Sequence, residues 1–336
     1  MQLSRRATTL AIVVGVGTAT ASLAACKPKP PEVPEVEPGS PDDAEKEIKS
    51  LLAEAYQGVR HSNAPGMMSL AATDVFVVGP RHADIGLERS DALVALGDAI
   101  GGKKTHKVRS VKLDVGAAPD GRSAWAVDQI DIDGKPFIVV ALAAELDGLW
   151  ALTTVQVARA TKQDGAPAAA PPGAWKAKPG PMSAHAAPAI EAEKVLAQLA
   201  GEPELRVDYL DHYADRQSIV VRSGPKSALR GVKAIKKAWK KKVPVWTVGA
   251  PLAAATTPDG AFAWVLAPAA VDDEAPGTRR VFLVLERFEP EVPDDDGDGG
   301  DGDDGGDGGD DAKDEPPVIQ TLPWRLVVLH ESTPAP

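Results

Sequence analysis

Apolar positions change their period along this chain. Ile48, Leu51, Leu52, Ala55 and Val59 recur at three- and four-residue spacing, which predicts a helix with one buried face. Ahead of it, Ser40-Pro41-Asp42-Asp43 offers a capping hydroxyl, a proline for the first helical position and an acid three residues after the cap, together a helix start. A strand is predicted over 75–78, ended by Gly79-Pro80. A further helix runs from Ser90 through Leu93, Leu96 and Ile100 to Gly101-Gly102. Four strand-like runs follow, near 106–116, 122–132, 136–146 and 149–158. They are rich in Val and Ile and punctuated by Pro119-Asp120-Gly121, Asp133-Gly134 and Asp147-Gly148. Asp-Gly pairs tolerate the left-handed backbone that tight hairpins demand.

The second half of the chain repeats this order. Gly79-Pro80-Arg81 and Gly86 recur as Gly224-Pro225-Lys226 and Gly231, each 145 residues later. Pro119-Asp120-Gly121-Arg122-Ser123-Ala124-Trp125 recurs 139 residues later as Pro258-Asp259-Gly260-Ala261-Phe262-Ala263-Trp264, and Trp150-Ala151-Leu152 as Trp324-Arg325-Leu326. Three landmarks kept in order predict an internal duplication. On that alignment Ile219 stands opposite Asp74, and Ala267 opposite Asp128.

The polar segments set the boundaries. Arg5-Arg6, an apolar stretch over about 10–21 and Leu23-Ala24-Ala25-Cys26 read as an export signal whose cut leaves the chain's one cysteine, Cys26, as a lipidated first residue. The apolar stretch is shorter than the roughly 20 residues that span a bilayer. Residues 26–41 carry six prolines among Glu and Lys and form a solvated tether. Lys162 to Pro181 is rich in Ala and Pro and separates the halves. The expected organisation is a signal peptide over 1–25, a tether over 26–41, one domain over 42–162, a linker over 163–183 and a second domain over 184–332. Residues 294–311 are ten Asp and eight Gly, an insertion in the last hairpin. The formal charge of −11 becomes −13 once Arg5 and Arg6 are removed, and −3 if the ten aspartates are also left out. That balance excludes general nucleic-acid binding. With its thiol committed to lipid, the chain has no internal disulfide to rely on. Its core must come from small aliphatics, since 43% of residues are hydrophobic but only 4% aromatic.

Helices followed by a curved, mainly antiparallel sheet in each half, the strand built on Gly-x-x-Ala-Trp (Gly121 to Trp125, Gly260 to Trp264) and a final strand on Trp-x-Leu resemble the SnoaL-like, ketosteroid isomerase-like family that includes nuclear transport factor two. The resemblance covers about 42–160 and 184–332. It implies an α+β fold of two tandem cone-like domains, each with a pocket between helices and sheet. Isomerases, cyclases and plain binding or dimerisation modules all use that fold, so the fold does not choose among them.

Candidate chemistry is sparse. Ser223-Gly224-Pro225-Lys226 spells Ser-x-x-Lys, but Gly-Pro breaks the helix that would join the two side chains. Six histidines show no i, i+4 pair and no cysteine company, which leaves no zinc site. An isomerase-like pocket needs an acid of raised pKa and a polar stabiliser; Tyr56 on the first helix, Asp74 before the first strand and Asp128 in the third strand are the candidates. The plainer readings are an acid bounding a strand for Asp74 and a solvated face for Asp128. Asp294, Asp296 and Asp298 open a calcium-loop spelling, but its twelfth position is Gly305 instead of Glu, and a solvated hairpin loop is favoured. Lys236 to Lys242, around Trp239, ends a helix and complements its negative end; an anionic lipid headgroup or the chain's own Asp tract is the functional alternative. The expectation is a lipid-anchored protein of the cell envelope, held at the outer membrane and facing the periplasm or the surface. It acts as a non-catalytic binding or assembly module with no cofactor. The alternative is an isomerase- or cyclase-like pocket enzyme, or a carrier for a small hydrophobic molecule, in the first domain.

Overall fold

The computed structural model describes residues 39–86, 89, 92, 104–160, 189–201, 203–222, 224, 227–241, 246–271, 273–288 and 322–334. Cys26, the signal segment, nearly all of the tether, most of the helix predicted from Ser90, the linker and Asp294, Asp296 and Asp298 lie outside them. The described elements are α1 (Pro41–Arg60), α2 (Ala64–Ser69), β1 (Ala71–Val78), β2 (Val108–Ala117), β3 (Ser123–Ile132), β4 (Lys135–Leu146) and β5 (Leu149–Arg159) in the first half. The second half has α3 (Ile190–Ala200), α4 (Pro203–Tyr213), β6 (Ala214–Val221), β7 (Leu229–Arg230), α5 (Val232–Lys241), β8 (Trp246–Val248), β9 (Ala253–Thr256), β10 (Phe262–Val271), β11 (Arg279–Arg287) and β12 (Trp324–Ser332).

α1 buries the stripe its periodicity predicted, from Ala44 and Ile48 to Tyr56. Ser40 is its N-cap and Pro41 its first residue, but the Ser40 hydroxyl makes no capping bond. The first turn is closed by the Ser40 carbonyl, which accepts from the N–H groups of Asp43 and Ala44 at 3.0 Å, while the Asp43 carboxylate turns outward to Lys46. Both Asp-Gly pairs stand at positive φ, 54° and 81° at Asp133-Gly134 and 52° and 79° at Asp147-Gly148, as a two-residue hairpin requires.

The two sheets share one plan. The first runs β1-β5-β4-β3-β2, with β1 parallel to β5; the second runs β7-β6-β12-β11-β10-β8, with β9 also on β10 and β6 parallel to β12. Their irregularities coincide as well. A bulge skips Thr153 where β4 pairs β5 and Val327 where β11 pairs β12, and each adds bend to its sheet. The turns before Trp125 and Trp264 match bond for bond: Gly121 N–H to Ala118 O and Gly260 N–H to Thr257 O, with Asp120 and Asp259 each accepting from the residue two places on. β1 and β6 correspond at an offset of 143, since Phe76 faces Thr154 as Ile219 faces Val328. Asp74 therefore corresponds to Gln217, and the expected match with Ile219 is corrected. Gly86 and Gly231, both at positive φ, remain 145 apart because the hairpin after β6 runs two residues further down its partner.

Each sheet carries an apolar cluster on its helix side. α1 packs on Ala124, Ala126, Ile130 and Val139 in the first half, and α3, α4 and α5 on Ala263, Val265, Leu283 and Leu329 in the second. The opposite faces form a third cluster together, in which Trp125, Val127, Val140 and Leu142 join Trp264, Leu266, Phe282 and Val284. Phe76 of β1 stacks at 4.5 Å from Trp264 of β10. The described residues accordingly form one compact unit.

Candidate functional site

Tyr56 and Asp128, 72 residues apart, meet under α1. The Tyr56 hydroxyl donates to Asp128 Oδ2 at 3.0 Å, and the Ser110 hydroxyl donates to Oδ1 at 2.8 Å. Asp128 is 0% exposed, so it lies on the helix-facing side of β3 and the solvated-face reading is corrected. Ser110 reaches it because the β2–β3 register slips between Ser110 and Lys112. The bulge leaves Val111 turned out, 58% exposed, and puts Ser110 opposite Ile130, where Ser110 is itself exposed at the sheet edge.

Burial pushes the Asp128 carboxyl up to about 6, aided by the charge of Asp114 and opposed by the Ser110 and Tyr56 hydrogen bonds. The Tyr56 phenol is raised, first by burial and then by the Asp128 carboxylate it faces, so it stays a donor at any ordinary pH. A carboxylate whose two oxygens each accept a hydroxyl is satisfied without solvent. Asp74 is not brought to this pair. It lies within β1, three residues from its start, and is half-buried, which corrects its placement ahead of the strand.

The second half holds different polar groups at different depths. Ala267 occupies the place of Asp128. In compensation, Glu331 on the inner face of β12 accepts from Trp246 Nε1 at 3.1 Å and pairs with Arg279, whose guanidinium also donates to Glu274 at 2.6 Å. The register places Val157 and Phe137 where Glu331 and Arg279 stand in the second sheet. A cleft of about 250 Å³ opens beside α3, lined by Glu193, Leu196, Ala197, Ala200, Gly201, Val248, Gly249 and Pro251.

Sequence reasoning missed a polar seam between the two sheets. Gln156 and His330 hold the same place in β5 and β12, facing Val140 and Phe282, and His330 Nδ1 lies 2.9 Å from Gln156 Oε1. Because an amide oxygen only accepts, Nδ1 carries a proton. Burial and the nearby Arg280 push the His330 pKa down to about 3. Arg280, itself fully buried, donates to Ser332 Oγ at 3.1 Å, to Arg81 O at 3.3 Å and to Gly79 O. At the rim, Arg230 holds Asp114 through two nitrogens, at 2.8 and 2.5 Å. Extending the Trp-x-Leu offset of 174 residues four positions further would have paired Gln156 with His330.

Among the described residues, no group of three or more His, Cys, Asp or Glu is placed to hold a metal ion, and no helix is long and apolar enough to cross a membrane. No protein-family profile matches the sequence, and no curated protein matches it. Its neighbours among solved structures are NTF2-like and cystatin-like proteins. One is an NTF2-like protein of unknown function from Pseudomonas putida, 18% identical, covering 38% of this chain and 93% of that one with a TM-score of 0.32. A cystatin-like fold protein from Caulobacter vibrioides is 16% identical, with 36% and 92% covered and a TM-score of 0.31. Another from Nostoc punctiforme is 12% identical, with 36% and 94% covered and a TM-score of 0.31.

Proposed function

We propose that the chain is a lipid-anchored protein of the cell envelope in which two tandem SnoaL-like units, joined sheet to sheet, act as a binding or assembly module and not as an enzyme. The observation that supports this reading is the state of Asp128, the acid buried under the helix of the first unit. Asp128 is fully buried and both its oxygens are taken by Tyr56 and Ser110, whereas a general base must lie within hydrogen-bond reach of a substrate proton. Its counterpart is an alanine. The paired sheet faces cover each other within one chain, which leaves the outer helices and edges for partners. Anchoring at Cys26 rests on the sequence alone; Cys26→Ala should yield an unprocessed or soluble protein, and a variant still processed and partitioned into detergent would refute it.

A second reading has its own support. The raised pKa of Asp128 beside a phenol is the arrangement an isomerase-like pocket or a carrier for a small hydrophobic molecule would use. Native mass spectrometry of the full chain and of Asp128→Asn separates the two. A module is expected to show no non-covalently held small molecule in either. A small molecule held by the parent and lost from the variant would favour the pocket.

A further inference from the structure

α5 carries an unusual charge. Its sequence from Val232 to Lys241 has five lysines and no acid. Ile235 and Trp239 are buried and pin one face to the second sheet, so the helix has no apolar face left to offer. Lys233, Lys237 and Lys240 fall at i, i+4 and i+7 and are exposed. Lys236 pairs with Asp211 of α4, but those three have no acid partner among the described residues. Like charges at this spacing repel, and the helix tolerates them only because it is held by its buried side chains.

We infer that this lysine stripe is the docking surface for the chain's own acidic tract, residues 294–311. The charges are complementary, ten aspartates against a run of lysines. The place where the tract rejoins the described chain is also close. The Leu322 N–H donates to the Tyr213 hydroxyl at 3.4 Å, Tyr213 is two residues from Asp211, and Asp211 is the partner of Lys236. The eleven residues from Leu322 back to Asp311 reach up to about 35 Å at roughly 3.3 Å each, while a ten-residue helix is only about 15 Å long. A tethered tract is present at an effective concentration on the order of millimolar. An anionic lipid surface fits the stripe less well, because the mature chain without its tract is already net negative and the tract is nearer. The tract then acts as a built-in competitor: a polyanion reaches the helix only by displacing it.

Carbodiimide cross-linking of the full chain, mapped by mass spectrometry, tests this directly. Lys233, Lys237 and Lys240 are expected to link to aspartates within 294–311, with the yield lost near 0.5 M NaCl because the contact is between exposed charges. Links from these lysines only to other acids would overturn the proposal. Sedimentation with phosphatidylglycerol vesicles supplies the second arm. A 294–311 deletion, checked for an unchanged circular dichroism spectrum, is expected to bind at least tenfold more than the parent. Adding Lys233→Gln, Lys237→Gln and Lys240→Gln should abolish that gain. Equal vesicle binding by parent and deletion variant would refute the tract as a cover of the stripe.

Discussion

Asp128 and His330 are both buried, and their titrations push stability in opposite directions. The folded Asp128 carboxyl is raised to about 6 from an ordinary 3.8, so the unfolded chain gives up this proton first. Its contribution is complete below about pH 3.8 and is lost as the pH rises through 6, by at most about 3 kcal/mol at 1.36 kcal/mol per pH unit. Asp128→Asn keeps a side chain able to meet both hydroxyls. It should melt at or above the parent at pH 8, with the gap closing below pH 4; parallel melting profiles across that range would show that the carboxyl is not strained. His330 behaves in the reverse sense. Its folded pKa is depressed to about 3, so the stability it supports is present above about 6.5 and is lost as the pH falls toward 3. His330→Gln, which copies the residue at the equivalent place in the first sheet, should narrow the loss of melting temperature between pH 7 and pH 4.5. An unchanged loss would assign acid sensitivity to other groups.

At the level of elements, period and turn chemistry carried most of what was legible. The α1 stripe, the four long strands of the first half and the turns before both tryptophans lie within about two residues of where the pattern puts them, because each was written in short-range signals. β1 starts four residues before the β-branched run at Val75 to Val78, because Ala71 pairs with Leu152 of β5 ahead of an irregularity that ends at Phe76, a non-local fact. The Ser110–Asp128 bond was illegible for the same reason: it depends on a bulge that decides which of two neighbouring residues faces inward. The pairing of Tyr56 with Asp128 was visible only as a shortlist, because sequence separation says nothing about depth under a helix. The sequence marks Trp125 and Trp264 as landmarks of the repeat but does not show them as members of the cluster between the sheets. Close packing there is strict, as a Cβ on Gly116 would stand 2.6 Å from the Trp125 indole nitrogen. Truncating either tryptophan to Ala should cost about 3–5 kcal/mol in urea unfolding, and a loss below about 1 kcal/mol would place that ring outside the packed layer.

For the whole molecule, the sequence suggests two domains with a linker, and the packing of one sheet on the other has a consequence for how they would behave apart. Each half has its own cluster under its helices, enough to hold a small core, but each half alone would expose the sheet face that the other now covers. That face is largely apolar and carries a polar seam of Gln156, His330, Arg280 and Ser332. Arg280 is the side chain most affected by separation, because its bonds to Gly79 and Arg81 cross from one half to the other, and a buried cation stripped of acceptors is costly. Fragments 42–162 and 184–332 should therefore fold with cooperative melts of their own, yet below the melting temperature of the intact chain. Mixed at equal concentration, they should form a one-to-one complex that restores most of the difference, by the mass action that couples binding to stability. Analytical ultracentrifugation with parallel calorimetry measures both effects. Fragments that stay monomeric when mixed, and already melt where the intact chain does, would show that the layer between the sheets contributes nothing and that the linker alone joins the two units.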